Sequence, residues 1–250
     1  MRSGTVMEHS NLPLLTWFMT MFEMTYRRKS LSSTEMYQKL NVKSEATVWY
    51  LMHKIRIAMG YRDEKYQLDG DIEMDDAFIT VVKTIKEEKQ KDGPAKRGRG
   101  SIRKAPILVM ASYNPIKKKQ KKNRPKSYPR FFKMVVAEDL KMDTINEVAF
   151  RFIKLKSKVE TDAYRGYNKL KEFMKSHKSK VTLPQQAHIE LPWVHVAIGN
   201  FKRYVDGIHH HISDEYLQNY LDEFVYKTNR RTIASPFENI VTAGLQKVWG

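Results

Sequence analysis

The stretch "DIEMDDAFITVV", Asp71–Val82, decides how the rest of the chain is read. It follows an Asp69-Gly70 turn, is rich in β-branched and large apolar residues, and predicts a strand over Ile72–Val82. Side chains two apart on a strand share a face, so Glu73 and Asp75 point one way and Asp76 the other. A lone acid on a strand ordinarily faces solvent. These acids are flanked by Ile72, Met74, Ala77, Phe78 and Ile79, and a carboxylate in an apolar setting is rare unless it is paired or binds metal.

Working downstream, two further strands are expected at Ala105–Tyr113 and Phe131–Leu140. A helix runs on from Met142 with Asp143 as its N-cap, then a short strand "KVETD", Lys158–Asp162. "AYRGYNKLKEFMKSH", Ala163–His177, predicts another helix, "KVTLP", Lys180–Pro184, another short strand, and a last helix starts near Pro192. The order β-β-β-α-β-α-β-α is that of an α/β, ribonuclease-H-like mixed sheet flanked by helices, with three antiparallel strands joined to parallel ones. Asp162 closes its strand, and the carboxyl ends of strands in α/β sheets are where ligands and catalytic groups collect.

Upstream the chain is all-helical. "LPLLTWFMTMFEM", Leu12–Met24, predicts a helix packed into a core. Ser32 with Glu35 three residues later forms a capping box, Leu40–Lys43 a tight turn, and a second helix follows to Met59. Two short helices so joined match a helix-turn-helix, with Lys43, Ser44 and Thr47 near the start of the second placed to touch DNA. The division expected is a helical region over 1–62, a catalytic domain over 68–232 with a basic insertion at 83–130, and a tail over 233–250.

The charge points to the same partner. The chain has 250 residues, with 45 Lys+Arg against 28 Asp+Glu, a formal net charge of +17 suited to a polyanion. Between Lys83 and Arg130 there are 17 Lys+Arg and only 3 Asp+Glu, so most of the excess is local, and Lys96, Arg97 and Arg99 within it are candidate phosphate contacts. No apolar run approaches the roughly 20 residues that span a bilayer, and the N-terminus lacks a signal-peptide pattern, so a cytoplasmic protein is expected, nucleoid-associated if the source is prokaryotic, and not a membrane one. With no cysteine there are no disulfides, no thiol nucleophile and no cysteine-based zinc site; any metal falls to oxygen or imidazole ligands. His209–His211 are adjacent and cannot all ligate one ion from a regular element, so they are read as a loop before Ser213.

"SGTVMEHSNLPLLTWF", "MHKIRIAM", "IEMDDAFI", "KRGRGS", "TDAYRGY", "WVHVAIGNFKRY" and "YLDEFVYKTNRR", in this order from about residue 3 to residue 231, resemble the DDE-class insertion-sequence transposases. In that group a ribonuclease-H-like core follows a helix-turn-helix and a zinc ribbon; the ribbon is expected to be missing or to lie outside this chain. The resemblance implies Asp75 and Asp162 as the first two catalytic acids, magnesium or manganese as cofactor with two ions bound, and double-stranded DNA as partner. That DNA would be the element's terminal inverted repeats and a target, and the resemblance also implies homo-oligomers on paired ends.

The third acid of such a core is expected on a helix about thirty residues past the second, and there the chain has His195. Lys202 lies two turns on, with His195 and Gly199 along the same face, where the family carries its base. An imidazole can ligate a divalent ion, better manganese or zinc than magnesium. Glu190 and Asn200 are the alternatives for the third position. Arg203, Arg230 and Arg231 are read as DNA contacts. A second reading keeps the fold and drops the chemistry, leaving a degenerate or truncated transposase that only binds DNA as a repressor.

Overall fold

In the computed structural model the described residues are 2–27, 29–82, 104–116, 126–181, 190–209 and 212–246. They form two compact units: Met1–Lys65 with Tyr204–His210 and Asn219–Gly250, and Tyr66–Arg203 with His211–Gln218.

The second unit is built on five strands: β1 (Asp71–Thr80), β2 (Lys104–Pro115), β3 (Ser127–Val136), β4 (Lys158–Asp162) and β5 (Ser176–Lys180). Their order is β3-β2-β1-β4-β5. β1–β2 and β2–β3 are antiparallel, while β1–β4 and β4–β5 are parallel. This is the ribonuclease-H-like mixed sheet, with β1 at its centre.

One face of the sheet, carrying Ile72, Met74, Leu108, Met110 and Val159, is covered by a helix, α4 (Met142–Phe152). Ile145, Val148, Ala149 and Phe152 fall at i, i+3, i+4 and i+7, one stripe of that helix, and all are buried. Each large apolar side chain so covered contributes about 1.5–3 kcal/mol. Asp143 is not the cap of α4: the helix starts at Met142, and Asp139 organises the entry by accepting from Lys141 N at 3.0 Å and Thr144 Oγ1 at 2.6 Å.

Three elements differ from expectation, each for a local reason; the first is β3, four residues ahead of the expected Phe131–Leu140 because its polar start pairs with Tyr113, Asn114 and Pro115. Instead of one helix over 163–177 there is a 3-10 turn, Arg165–Tyr167, and a single helical turn, α5 (Leu170–Phe173). Gly166 passes so close to Ile145 of α4 that a Cβ there would lie 2.7 Å from its Cδ1, and this approach seats Tyr167 in the core. Among the described residues the strand after β4 is "SHKSK": Ser176 pairs with Lys158 and Lys180 with Asp162, so of the expected "KVTLP" Lys180 closes β5, while 182–184 lie outside the described residues. β5 is an edge strand with a largely polar, half-exposed sequence, so apolar alternation was no guide to it, and Val181 just beyond is 93% exposed.

The first unit contains α1 (Leu14–Tyr26), α2 (Ser33–Lys39), α3 (Glu45–Glu64) and α8 (Pro236–Gly244), together with the part of α7 (Asp214–Asn229) from Asn219 onward. The capping box is half realised: Ser32 Oγ accepts from Glu35 N at 3.0 Å, while the Glu35 side chain pairs with Arg27. Trp17, Met21 and Met24 of α1, Met36 of α2, Val48, Leu51, Met52 and Ile55 of α3, and Ile240 of α8 share one core. The expected tail therefore contains a packed helix. α1 is only half a core helix, since Leu15, Met19, Phe22 and Tyr26 on its other side are exposed.

Two ion pairs are buried in this unit. Arg56 Nε lies 2.8 Å from Glu223 Oε2, and Arg230 NH2 lies 2.5 Å from Asp63 Oδ1. Burial alone would raise the Glu223 carboxyl, but Arg56 and Lys227 beside it outweigh that and hold it at about 2. Among the described residues no helix is long and apolar enough to cross a membrane.

Candidate active site

The face of the sheet opposite α4 carries the acids. Ile72 and Met74 point into the α4 core, so Glu73 and Asp75 point away from it, and alternation sends Asp76 back to the α4 side. The parallel ladder between β1 and β4 matches Asp71 with Lys158, Ile72 with Val159 and Glu73 with Glu160. The ladder ends there; Asp75 lies two residues beyond it on β1 and Asp162 two residues beyond it on β4, each by alternation on the face away from α4. Neighbouring strands lie about 4.8 Å apart.

Asp162 ends β4, where the chain turns out of the sheet. Its Oδ1 accepts from Tyr164 N at 3.0 Å, and its carbonyl accepts from Thr161 Oγ1 at 2.7 Å and Ser179 Oγ at 3.2 Å. Asp75 is held differently. Its Oδ1 accepts from Asp76 N at 2.9 Å, while Oδ2 lies 3.7 Å from His195 Nε2.

His195 stands on the first turn of α6 (Pro192–Asp206). Pro192 opens this helix with its ring already at helical φ and no N–H to satisfy. Gly199, one turn on, has open space where a Cβ would sit, and Lys202, a turn further, is exposed. The expected row His195, Gly199, Lys202 is thus present along α6.

Of the three candidates for the third position, His195 lies against Asp75. Glu190 Oε2 pairs with Lys180 Nζ at 3.0 Å, and Asn200 Oδ1 accepts from Arg203 NH2 at 2.6 Å. Two carboxylates and an imidazole suit a divalent cation such as magnesium or manganese. Among the described residues, though, no three His, Asp or Glu side chains converge as a closed metal cage. The donor types fit such an ion; two of the three face each other, and Asp162 waits on the adjacent strand.

Glu73 is the residue that sequence reasoning placed on the right face without giving it work. It is 3% exposed, and its Oε2 accepts from Trp193 N at 2.7 Å and Val194 N at 3.0 Å. Burial raises its carboxyl to about 7 in spite of those two bonds, with Glu160 adding to the rise. The signal for it was its parity with Asp75 in an apolar strand.

The expected DNA contacts divide. Lys43 and Ser44 are exposed and Thr47 half-exposed at the start of α3, where a cleft of about 600 Å³ is lined by Lys43, Thr47, Tyr50 and Lys54 together with Trp17 and Leu12. Arg203 and Arg231 are exposed as well. Arg230 is not: at 6% exposure, with Asp63 and the Tyr226 ring against its guanidinium, it serves the core. Lys96, Arg97 and Arg99 lie outside the described residues, as do His210 and His211. His209 sits in a loop, its Nε2 2.6 Å from Ser30 Oγ.

The sheet order, with carboxylates on β1 and at the end of β4, is that of a ribonuclease-H-like core. Residues 67–229 match the ISXO2-like transposase domain, and the chain belongs to that family. The matched span takes in Asp75, Asp162, His195 and Lys202, and starts after α3. No curated protein matches the chain. Among solved structures it is similar to the "Crystal structure of a pre-cleavage Mos1 transpososome", with 10% identity, a TM-score of 0.30, and 96% of this chain and 82% of that chain covered.

Proposed function

We propose that this protein cuts DNA at the ends of its element and joins the freed ends to a target. The observation that carries the reading is His195 Nε2 lying 3.7 Å from Asp75 Oδ2, with Asp162 ending the strand paired beside β1. In this reading Asp75, Asp162 and His195 hold two magnesium or manganese ions. Such ions, when bound, lower the pKa of a water and stabilise the leaving oxygen of an in-line displacement.

The chain's own groups then have separate tasks. Asp75 and Asp162 would supply the negative charge that holds cations beside the reacting phosphate, while Lys202, exposed two turns beyond His195, meets the scissile phosphate or its neighbour. Lys43, Ser44 and Thr47 enter the major groove at the start of the second helix of a helix-turn-helix. Arg203, Arg231 and the basic insertion with Lys96, Arg97 and Arg99 neutralise backbone phosphates of double-stranded DNA. Hydrolysis forms a bond from water oxygen to phosphorus and releases a 3′-hydroxyl; that hydroxyl then attacks a target phosphodiester, one ester replacing another with no covalent protein intermediate. Paired ends call for more than one copy of the chain.

A second reading, binding to DNA without chemistry, draws on the histidine at the third position and on the absence of a closed three-ligand cluster among the described residues. One assay separates the two. End-labelled terminal-repeat DNA is incubated with the protein and magnesium or manganese, and nicking and strand transfer are followed. Binding with no cleavage under either ion favours the second reading; cleavage without preference for element ends points to a nuclease on the same core.

A further inference from the structure

α6 lacks a cap of its own. The residue before Pro192 is Leu191, whose side chain has no acceptor, and the helix's first free donors are the amides of Trp193 and Val194. Those two positions, N2 and N3, are the ones that an N-cap side chain normally satisfies. Here Glu73 Oε2 takes both, reaching across from β1. A carboxylate 3% exposed on a central strand would be costly without such partners, and the positive end of the helix dipole favours it there.

We propose that Glu73 is a positioning residue for the site: by capping α6 from β1 it fixes the helix's first turn and so sets His195 against Asp75. Glu73 and Asp75 are two residues apart on one face of β1, and Val194 and His195 are consecutive on α6, so the two contacts are adjacent rungs between the same strand and helix. Rotation of that first turn moves the imidazole and the two amides together. Other ties hold the same turn to other strands: Trp193 Nε1 donates to Ser127 Oγ on β3 at 2.8 Å, and Lys180 bridges Glu190 at 3.0 Å and Glu160 at 3.4 Å. Those secure where the helix starts, whereas the Glu73 bonds set its height over β1.

This inference rests on the reading of His195 as part of the reacting site, so its test has an arm that does not depend on catalysis. Glu73→Ala, Glu73→Met and Glu73→Gln are made in the full chain, Met filling the volume that Ala leaves empty. Amide hydrogen exchange at Trp193 and Val194 is read without metal, and terminal-repeat affinity and single-turnover cleavage are read with manganese. Loss of the acceptor in the Ala and Met variants speeds exchange at both amides by about tenfold or more. It also slows cleavage by about 10- to 100-fold while DNA affinity stays within about twofold, and the Gln variant, which keeps an acceptor oxygen, restores both. Slow exchange retained in the Met variant overturns the proposal, and so does a Gln variant as impaired as Met. If His195→Ala cleaves like wild type, the reading of His195 fails, while the exchange arm still decides whether Glu73 holds the helix.

Discussion

The His195 imidazole faces the Asp75 carboxylate, Nε2 to Oδ2, at 3.7 Å, with Asp75 in the middle of the central strand and His195 on the first turn of the helix over it. The two are 120 positions apart in sequence and meet because β1 and α6 pack on the face that α4 leaves open. Glu190 and Asn200, the alternatives to the His195 that the spacing from Asp162 favours, are each engaged by a basic side chain.

Removing either aspartate is expected to abolish chemistry and leave binding intact. Asp75→Ala and Asp162→Ala should each slow nicking of terminal-repeat DNA by at least about 100-fold, because supporting residues alone cost 10–100-fold at metal sites. Asp162 is half-buried and Asp75, its side chain 13% exposed, points away from the α4 core, so stability should change little. Gel-shift affinity and cleavage rate measured on the same preparations check this, and full cleavage by either variant would sink the two-carboxylate reading.

The neighbouring arginines Arg230 and Arg231 should behave oppositely. Arg230→Ala leaves Asp63, itself 4% exposed, without its charged partner, and breaking a buried pair costs about 3–5 kcal/mol. Arg231 is exposed; as a phosphate contact, its loss should lower the slope of log affinity against log salt by about 1 without touching stability. Denaturant unfolding and salt-dependent DNA titration distinguish the two. A stable Arg230→Ala protein with a reduced salt slope would return that residue to the DNA face.

The strands with most buried residues were legible because apolar, β-branched residues mark them: β1 and β2 lie within two residues of their expected ends. β3 was misplaced by four residues, since its start, "SYPR", is polar and only pairing with Tyr113, Asn114 and Pro115 makes it strand. Glu73 shows a different limit. Its face could be read from parity with Asp75, but its partners are main-chain amides of Trp193 and Val194, groups every residue carries and no sequence pattern marks. Arg230 fails for a related reason: a basic pair after a helix reads as surface until Asp63, 167 positions away, is seen beside it.

Acid should weaken the helical unit through two buried imidazoles. Burial pulls His53 down from 6.5 to about 3 and His209 from 6.5 to about 4, with the Arg56 charge adding to both. Between about pH 4 and 6.5 the unfolded chain therefore binds protons that the folded one refuses. Stability from these groups is complete above pH 6.5 and is lost as pH falls through the window. His209→Gln keeps a polar partner for Ser30 and removes one titrating group, so the slope of unfolding free energy against pH should fall by up to one proton. Equal slopes for the variant and wild type between pH 4.5 and 6 would show that His209 is not buried neutral.

The metal preference should report on His195 directly. Imidazole is a softer donor than carboxylate and suits manganese over magnesium, so the wild-type protein should cleave faster with manganese. His195→Glu would put a hard oxygen at the same place on α6, still two turns before Lys202 and still capped by Glu73. It also sets a second carboxylate near Asp75 Oδ2, where like charges repel until a cation bridges them, so the variant should need the ion more and answer to magnesium better. The ratio of manganese to magnesium rates should fall by about tenfold or more in His195→Glu. His195→Ala should lose cleavage with both ions. A ratio unchanged by the glutamate, in a variant that still folds and binds DNA, would mean that position 195 does not touch the metal, and the second reading, binding without chemistry, would gain by it.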